Sequence, residues 1–162
     1  MSRVEEIKIF LPLQALKASI LNRLTKVLSQ NKENNIKSLV AYLVAGDPCE
    51  ESTLELLNGF ALSGVDVIEV GVPFSDPIAE GPIIQSAHDR SLKNGTNLKK
   101  ILKIIKSFRK SNSHTPIVLM GYINGFLANQ SEFSNFSQHG VDGVLIVDCL
   151  LYTSPSPRDQ RG

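Results

Sequence analysis

The side chains best suited to proton transfer are three acids that lie close together, Glu69, Asp76 and Glu80. Glu69 stands in the apolar run 67–70, the pattern of a strand that is buried on both faces. A carboxylate in such a strand either forms a salt bridge or has a function. Burial raises the pKa of a carboxyl group toward neutrality, where a general acid or base works best. Glu69 is therefore a candidate acid–base residue, with a structural salt bridge as the alternative.

The other two acids stand in a proline-rich loop over residues 72–82, which cannot form regular structure. Asp76 directly precedes a proline, where an Asx-turn is favoured over catalysis. Glu80 directly precedes a Gly-Pro pair that begins a predicted helix. Its carboxylate is either a favourable charge near that helix N-terminus or a second acid–base group, and the residues leave both open.

Other reactive residue types form no recognisable constellation. Tyr42 and Tyr122 stand on or just after predicted strands and either line a pocket or belong to the core. The histidines lack metal-ligand spacing and are expected at the surface or at caps: His88, His114 and His139. We therefore predict no metal site.

Composition narrows the class of protein. The chain has 162 residues, 42% hydrophobic and 20% charged, with a formal charge of +1, which is typical of a globular domain. Without a clustered positive field, binding to nucleic acid or to an anionic membrane is not expected. Cys49 and Cys149 form no CxxC motif, and no signal peptide or membrane span is evident. We therefore expect a reducing, cytoplasmic location.

Hydrophobic periodicity predicts an α/β fold in which strands alternate with helices. The predicted strands are 39–45, 65–70, 116–120 and 141–147. The predicted helices are one from Pro12 that fades at 31–35, one capped by Ser52 or Thr53 that ends at Gly64, 82–92, 98–108, and a short one capped by Ser131. Either an open doubly wound sheet or the first half of a barrel fits, and the lack of a glycine-rich nucleotide motif favours the barrel. Either fold places functional residues at the carboxyl ends of the strands.

The segment 68–85, IEVGVPFSDPIAEGPIIQ, resembles the tryptophan synthase α subunit family. Flanking segments agree with the family in order and spacing: 39–48, 64–66, 116–124 and 140–148. The resemblance covers residues 21–148. It implies the N-terminal half of a (β/α)8 TIM barrel, strands 1–4, with a preceding N-terminal helix.

The resemblance also implies an activity, cleavage of indole-3-glycerol phosphate to indole and glyceraldehyde 3-phosphate. Family members pass indole to a β subunit in an α2β2 tetramer. Pyridoxal phosphate belongs to that partner, so the chain itself is expected to need no cofactor.

Residue by residue, the resemblance makes Glu69 and Glu80 the catalytic carboxylates. The family usually has Asp at position 80, and the extra methylene displaces the carboxylate by about one bond, where about 1 Å of misplacement can cost ~100-fold in rate. The positions that surround indole are Tyr42, Met120, Tyr122 and Leu145. The loop that faces the β subunit is Pro73, Phe74, Ser75, Asp76 and Pro77.

Both ends depart from the family. Residues 149–162 look like a translated sequencing adapter and are expected to be non-native, while 1–20 form an extension of uncertain origin. Barrels commonly bind phosphate with the loops after strands seven and eight, which this chain lacks. We therefore expect the 162-residue chain to be inactive and prone to aggregation through open strand edges. Two alternatives are a non-catalytic activator of the β subunit and another phosphate-binding barrel enzyme.

Overall fold

The structure is a computed structural model, and it describes residues 23–147. The helices are α1 Arg23–Glu33, α2 Glu50–Leu62, α3 Pro82–Lys93, α4 Leu98–Phe108, α5 Ile123–Leu127 and α6 Phe136–His139. The strands are β1 Val40–Val44, β2 Val67–Gly71, β3 Ile117–Gly121 and β4 Gly143–Ile146, and a 3₁₀ helix, Gln130–Asn135, precedes α6. The segments 1–20 and 149–162, the start of the first predicted helix and Asp148 lie outside the described residues.

The strands run parallel in one sheet, in the spatial order β1-β2-β3-β4. A doubly wound sheet reverses its strand order at a switch point, whereas barrel strands follow one another around the axis. The unbroken order therefore identifies part of a (β/α)8 barrel, and the predicted fold class is confirmed. Within residues 23–147, no helix is both long enough and apolar enough to span a bilayer.

The outer face of the sheet packs against helices and holds most of the buried apolar side chains. Helix α4 contributes Ile101, Ile105 and Phe108, which pack with strand residues such as Ile68 and Leu119. Burial of each side chain contributes ~1.5–3 kcal/mol. The opposite side of α4 carries the exposed lysines Lys99, Lys103 and Lys106, and Lys110 is exposed just beyond the end of the helix. This helical layer holds the strands in register beneath the site.

The inner face carries side chains in rows that cross the strands. One row consists of the register partners Tyr42, Glu69, Val118 and Gly143. The next row toward the carboxyl ends consists of Val44, Gly71, Met120 and Leu145. Each row therefore contains two of the side chains that the sequence predicts in the site.

A short motif recurs at the amino ends of β2 and β4. Gly64 and Gly140 adopt left-handed backbone, with φ of 83° and 90°, and each is followed by Val-Asp. Asp66 accepts a hydrogen bond from the Leu39 N–H at 2.8 Å. Asp142 likewise accepts one from the N–H of Ile117, at 2.9 Å. Each carboxylate thus ties its strand to the start of the preceding strand.

Two arginines complete the second of these contacts. Arg23 and Arg109 contact opposite oxygens of Asp142 at 2.7 and 2.8 Å. Arg109 also donates to the carbonyls of Thr115 and Gly140. Burial lowers the pKa of Arg109 to about 10, against the opposing effect of Asp142, so the guanidinium remains charged at pH 7. This cluster ties α1 and α4 to the amino end of the sheet.

The predicted start of α2 was wrong. The helix begins at Glu50 after Cys49, which makes no side-chain capping bond, so neither Ser52 nor Thr53 is the cap. The Thr53 hydroxyl donates to the Cys49 carbonyl and accepts from the Gly46 N–H. Thr53 lies in the first turn of α2 and is buried because its hydroxyl bridges the helix to the turn that follows β1.

The segment after β3 also differs from its prediction. Residues Ile123–Leu127 form a short helix that the sequence pattern does not predict. Ser131 lies within the 3₁₀ helix and does not cap α6, whose preceding residue is Asn135. Three short helices, of five, six and four residues, thus stand where one helix was predicted, because helices of this length carry too little periodicity to detect.

Candidate active site

Glu69 lies on the inner face of β2, where its neighbours along the strand are buried and it is partly exposed. Within residues 23–147, no cation or hydrogen-bond donor contacts its carboxylate. Burial raises its pKa, as the apolar strand predicts. The structural salt bridge that the sequence left as an alternative is therefore not formed among the described residues.

Tyr42 is the register partner of Glu69 and extends its hydroxyl toward Glu80. The hydroxyl donates to Glu80 Oε1 at 3.4 Å. Burial, followed by the negative charge of Glu80, raises the pKa of Tyr42, so the phenol keeps its proton at neutral pH. Gly71 makes room for the ring, since a Cβ at this position would lie 2.4 Å from the Tyr42 hydroxyl.

Glu80 is the second carboxylate at this end of the sheet. Its backbone is held by the loop, because its N–H donates to the Pro77 carbonyl and its carbonyl accepts from Gln85. Its side chain is largely buried, and Oε2 lies 2.6 Å from His88 Nε2. Tyr42 and His88 therefore contact different oxygens of one carboxylate.

The surface or capping position expected for His88 was wrong. His88 lies within α3 and is only 1% exposed. Its Nδ1 accepts the backbone N–H of Phe74 at 3.0 Å. No motif or spacing predicted this contact, which exists because the loop 72–81 folds back over the helix.

Tyr122 supports the same loop from the end of β3. Its ring stacks on Phe74, with centroids 5.0 Å apart, and its hydroxyl accepts the Ala79 N–H at 3.0 Å. The side chain is 2% exposed. In this structure Tyr122 therefore contacts the loop that carries Glu80.

Met120 and Leu145 are adjacent on the inner face, one row above Glu69. Both side chains are partly exposed. They form an apolar wall at the carboxyl ends of β3 and β4, next to the acidic groups. The structure thus brings Tyr42, Met120 and Leu145 to the same face as Glu69.

The predicted partner-binding loop is exposed only in its middle. Ser75 and Asp76 are exposed, whereas Pro73 and Pro77 are buried and Phe74 is half-buried under the loop. Two large apolar side chains further along are the most exposed of this region, Ile78 at 72% and Ile83 at 81%. The sequence pattern did not single out either residue, although Ile78 in the polar loop and Ile83 in the first turn of α3 are apolar residues in polar surroundings.

Other features of the described residues do not join this site. No group of three or more His, Cys, Asp or Glu side chains within residues 23–147 is placed to hold a metal ion. A surface groove lies between the C-terminal ends of α2 and α4, lined by Asn58, Ala61, Leu62, Ser111 and Asn112. It is at the opposite end of the molecule from Glu69.

The arrangement suits acid–base chemistry on an aromatic substrate. One carboxylate with a raised pKa and a second one hydrogen-bonded to a phenol stand at the carboxyl end of a parallel sheet. An apolar wall stands beside them. Such a set can donate a proton at one point and accept one at another, next to a flat apolar group.

Comparison with known proteins agrees with this geometry. The tryptophan synthase alpha chain of Marinobacter nauticus is 47% identical over 130 residues, which are 79% of this chain and 48% of that protein. The structure of tryptophan synthase subunit alpha from Legionella pneumophila str. Paris superposes with a TM-score of 0.76 at 41% identity, covering 79% of this chain and 50% of that one. A tryptophan synthase complex from Pyrococcus furiosus gives a TM-score of 0.64 at 46% identity, covering 68% and 46%.

The chain spans about half the length of the curated relatives it matches. The family model for the tryptophan synthase alpha chain matches residues 28–159, so it extends past residue 148, and the division of the chain there stays a prediction. This match covers most of the chain, and the chain therefore belongs to the tryptophan synthase alpha chain family.

Proposed function

We propose that the full-length protein containing this chain cleaves indole-3-glycerol phosphate to indole and glyceraldehyde 3-phosphate. The observation that carries the proposal is the pair of carboxylates Glu69 and Glu80 at the carboxyl ends of the strands, in a member of this family. The reaction breaks one carbon–carbon bond. Indole C3 gains a proton, and the side-chain hydroxyl loses one as it becomes the aldehyde.

The two carboxylates have surroundings that suit different tasks. Glu69, whose pKa is raised by burial, is the proposed donor of the proton to C3 and acceptor of the hydroxyl proton. Glu80, held between Tyr42 and His88, is the proposed partner of the indole N–H. Two carboxyl groups in unlike environments can take opposite parts in one reaction.

The proposed indole pocket uses the inner face above Glu69. Met120 and Leu145 supply partly exposed apolar surface, and the Tyr42 ring closes one side. Tyr122 is also predicted to contact indole. We propose that it acts here by holding the loop that carries Glu80, which its ring and hydroxyl contact. The substrate phosphate is proposed to bind the loops after strands seven and eight of the full barrel.

The proposed partner is a tryptophan synthase β subunit, which would hold pyridoxal phosphate and receive the indole. Support comes from the Pyrococcus furiosus relative, which was solved as a tryptophan synthase complex. The exposed residues Ser75 and Asp76, with Ile78 and Ile83 beside them, offer polar and apolar surface for such a contact. The α2β2 assembly and the cytoplasmic location stay predictions.

The test is indole release by the full-length protein, without and with the β subunit. We expect cleavage by the wild type, and no release by the 162-residue chain alone, since its relatives are about twice as long. Activation of the β subunit without any cleavage would instead support the non-catalytic alternative, and Glu80→Asp should then restore some rate. Cleavage of a different sugar phosphate alone would identify another barrel enzyme.

A further inference from the structure

A relay of contacts links the loop 72–81 to the Glu80 carboxylate through the imidazole of His88. The backbone N–H of Phe74 donates to Nδ1 at 3.0 Å, and Nε2 lies 2.6 Å from Glu80 Oε2. Both side chains are largely buried, the imidazole at 2% exposure and the carboxylate at 10%. Among the described residues, neither Nε2 nor Oε2 has a hydrogen-bonding partner of favourable geometry, so both are buried polar atoms whose closest polar contact is with each other, at 2.6 Å.

The first contact determines where the imidazole proton lies. A backbone N–H can only donate, so Nδ1 must present its lone pair to Phe74. A neutral imidazole has one ring proton, which must then be on Nε2. This protonated nitrogen lies 2.6 Å from Glu80 Oε2, and a rotation of the carboxylate would align the two atoms for a hydrogen bond.

The nearest cation on the same helix is engaged elsewhere. Both guanidinium contacts of Arg90 go to the carboxylate of Asp47, at 2.7 Å each. The polar groups in contact with the Glu80 carboxylate among the described residues are the Tyr42 hydroxyl, at a long 3.4 Å, and His88 Nε2, at 2.6 Å. The backbone of Glu80 is anchored by Pro77 and Gln85, but only these two contacts restrict its flexible side chain.

We propose that His88 is a positioning residue for the reaction, which holds the Glu80 carboxylate in place through Nε2–H while its Nδ1 is tied to the loop. The inference rests on the proposed function and deepens it, because it assigns a role to a residue that does not touch the substrate. The hydrogen bond from Phe74 to Nδ1 selects the tautomer with its proton on Nε2, and this proton is the donor for Glu80. A glutamate carboxylate otherwise turns about several bonds, and about 1 Å of displacement can cost ~100-fold in rate.

Substitutions can separate the roles of the two ring nitrogens of His88, Nδ1 and Nε2. Asn places its amide oxygen near the position of Nδ1 and keeps the acceptor for Phe74, but its N–H falls short of Glu80. Gln reaches the position of Nε2 and keeps the donor to Glu80, but loses the acceptor for Phe74. His114→Asn is the matched control, because His114 is exposed and, within the described residues, its hydrogen bonds go to the nearby Ser113 and Asn112.

The experiment measures kcat and KM for indole release by these variants of the full-length protein. We expect His88→Asn to lower kcat by ~10- to 100-fold with KM changed less than ~3-fold, as expected for a misplaced catalytic group. We expect His88→Gln to stay within ~5-fold of the wild-type kcat. The reverse order would show that holding the loop is the role of His88. Equal losses in both variants, or none in either, would also overturn the proposal.

A second measurement needs neither activity nor a folded variant at position 88. The ¹⁵N resonances of labelled histidine in the wild type report the tautomer, and we expect the proton on Nε2. Replacing Glu80 with Gln should shift the Nε2 resonance and leave Nδ1 nearly unchanged. A proton on Nδ1, or an Nε2 resonance insensitive to Glu80, would contradict the contact. If the wild type releases no indole, the proposed function fails while this readout still decides whether the contact exists.

Discussion

Asp142 at the amino end of the sheet and Glu69 near its carboxyl end are both acids, but their surroundings are opposite. Asp142 accepts from the Ile117 N–H and contacts Arg23 and Arg109. Glu69 has no such partner among the described residues, and burial raises its pKa. The paired carboxylate holds strands and helices together, whereas burial shifts the pKa of the unpaired one upward, which suits proton transfer. In barrels of this kind the amino ends of the strands contribute mainly to stability, and the carboxyl ends carry the functional residues.

The largest expected effect comes from removing the unpaired carboxylate. Glu69→Gln should lower kcat for indole release by ~10²- to 10⁴-fold, the usual share of a general acid–base residue. The fold should remain, because no ion pair is lost. Steady-state assays and circular dichroism of the full-length protein check both parts. Equal indole release by wild type and variant would remove Glu69 from the mechanism.

The paired carboxylate should give the opposite result. Asp142→Asn leaves the largely buried Arg109 without its counter-charge and should lower the free energy of unfolding by ~3–5 kcal/mol. The kcat of the fraction that stays folded should be close to that of the wild type. Urea denaturation and assays at low temperature measure the two quantities. A stable variant that loses kcat would mean that the amino end of the sheet also affects chemistry.

A smaller effect is expected where the site is tightly packed. In Gly71→Ala the new methyl group would lie 2.4 Å from the Tyr42 hydroxyl and must displace the ring. Overpacking of this kind costs ~1–3 kcal/mol of stability. The Tyr42 contact with Glu80 should be lost as well, so Tyr42→Phe serves as the control for the hydroxyl alone. If the alanine variant matches wild type in unfolding and rate, the ring does not need this space.

The smallest effect is a dependence of stability on pH. Because the pKa of Glu69 is higher in the folded state than in the unfolded state, ionisation destabilises the fold as pH rises through the folded value. Glu69→Gln should therefore be more stable than the wild type at pH 7. The difference should vanish below the unfolded pKa, since both side chains are then neutral. Thermal unfolding of both proteins from pH 4 to 7 tests the sign, and a difference that grows toward acid would contradict it.

Glu69 and the barrel order could be read from local pattern, whereas the environment of Glu80 could not. The apolar run around Glu69 indicates a buried strand whichever way the chain folds. Pro82 and the Asn94-Gly95 pair similarly mark the limits of α3, which runs from Pro82 to Lys93. His88 stands in this helix without any pattern to distinguish it, and its partners come from a loop that has no periodicity.

The sequence by itself determined the alternation of helices and strands, the acid on β2 and the likeness to the family, because each depends on neighbours along the chain. Tertiary structure alone decided which oxygen faces which donor. The contact of His88 with Glu80 and the space that Gly71 leaves for Tyr42 join residues from different elements. Such contacts depend on how the loop folds over the sheet, and the spacing of residues along the chain does not predict that fold.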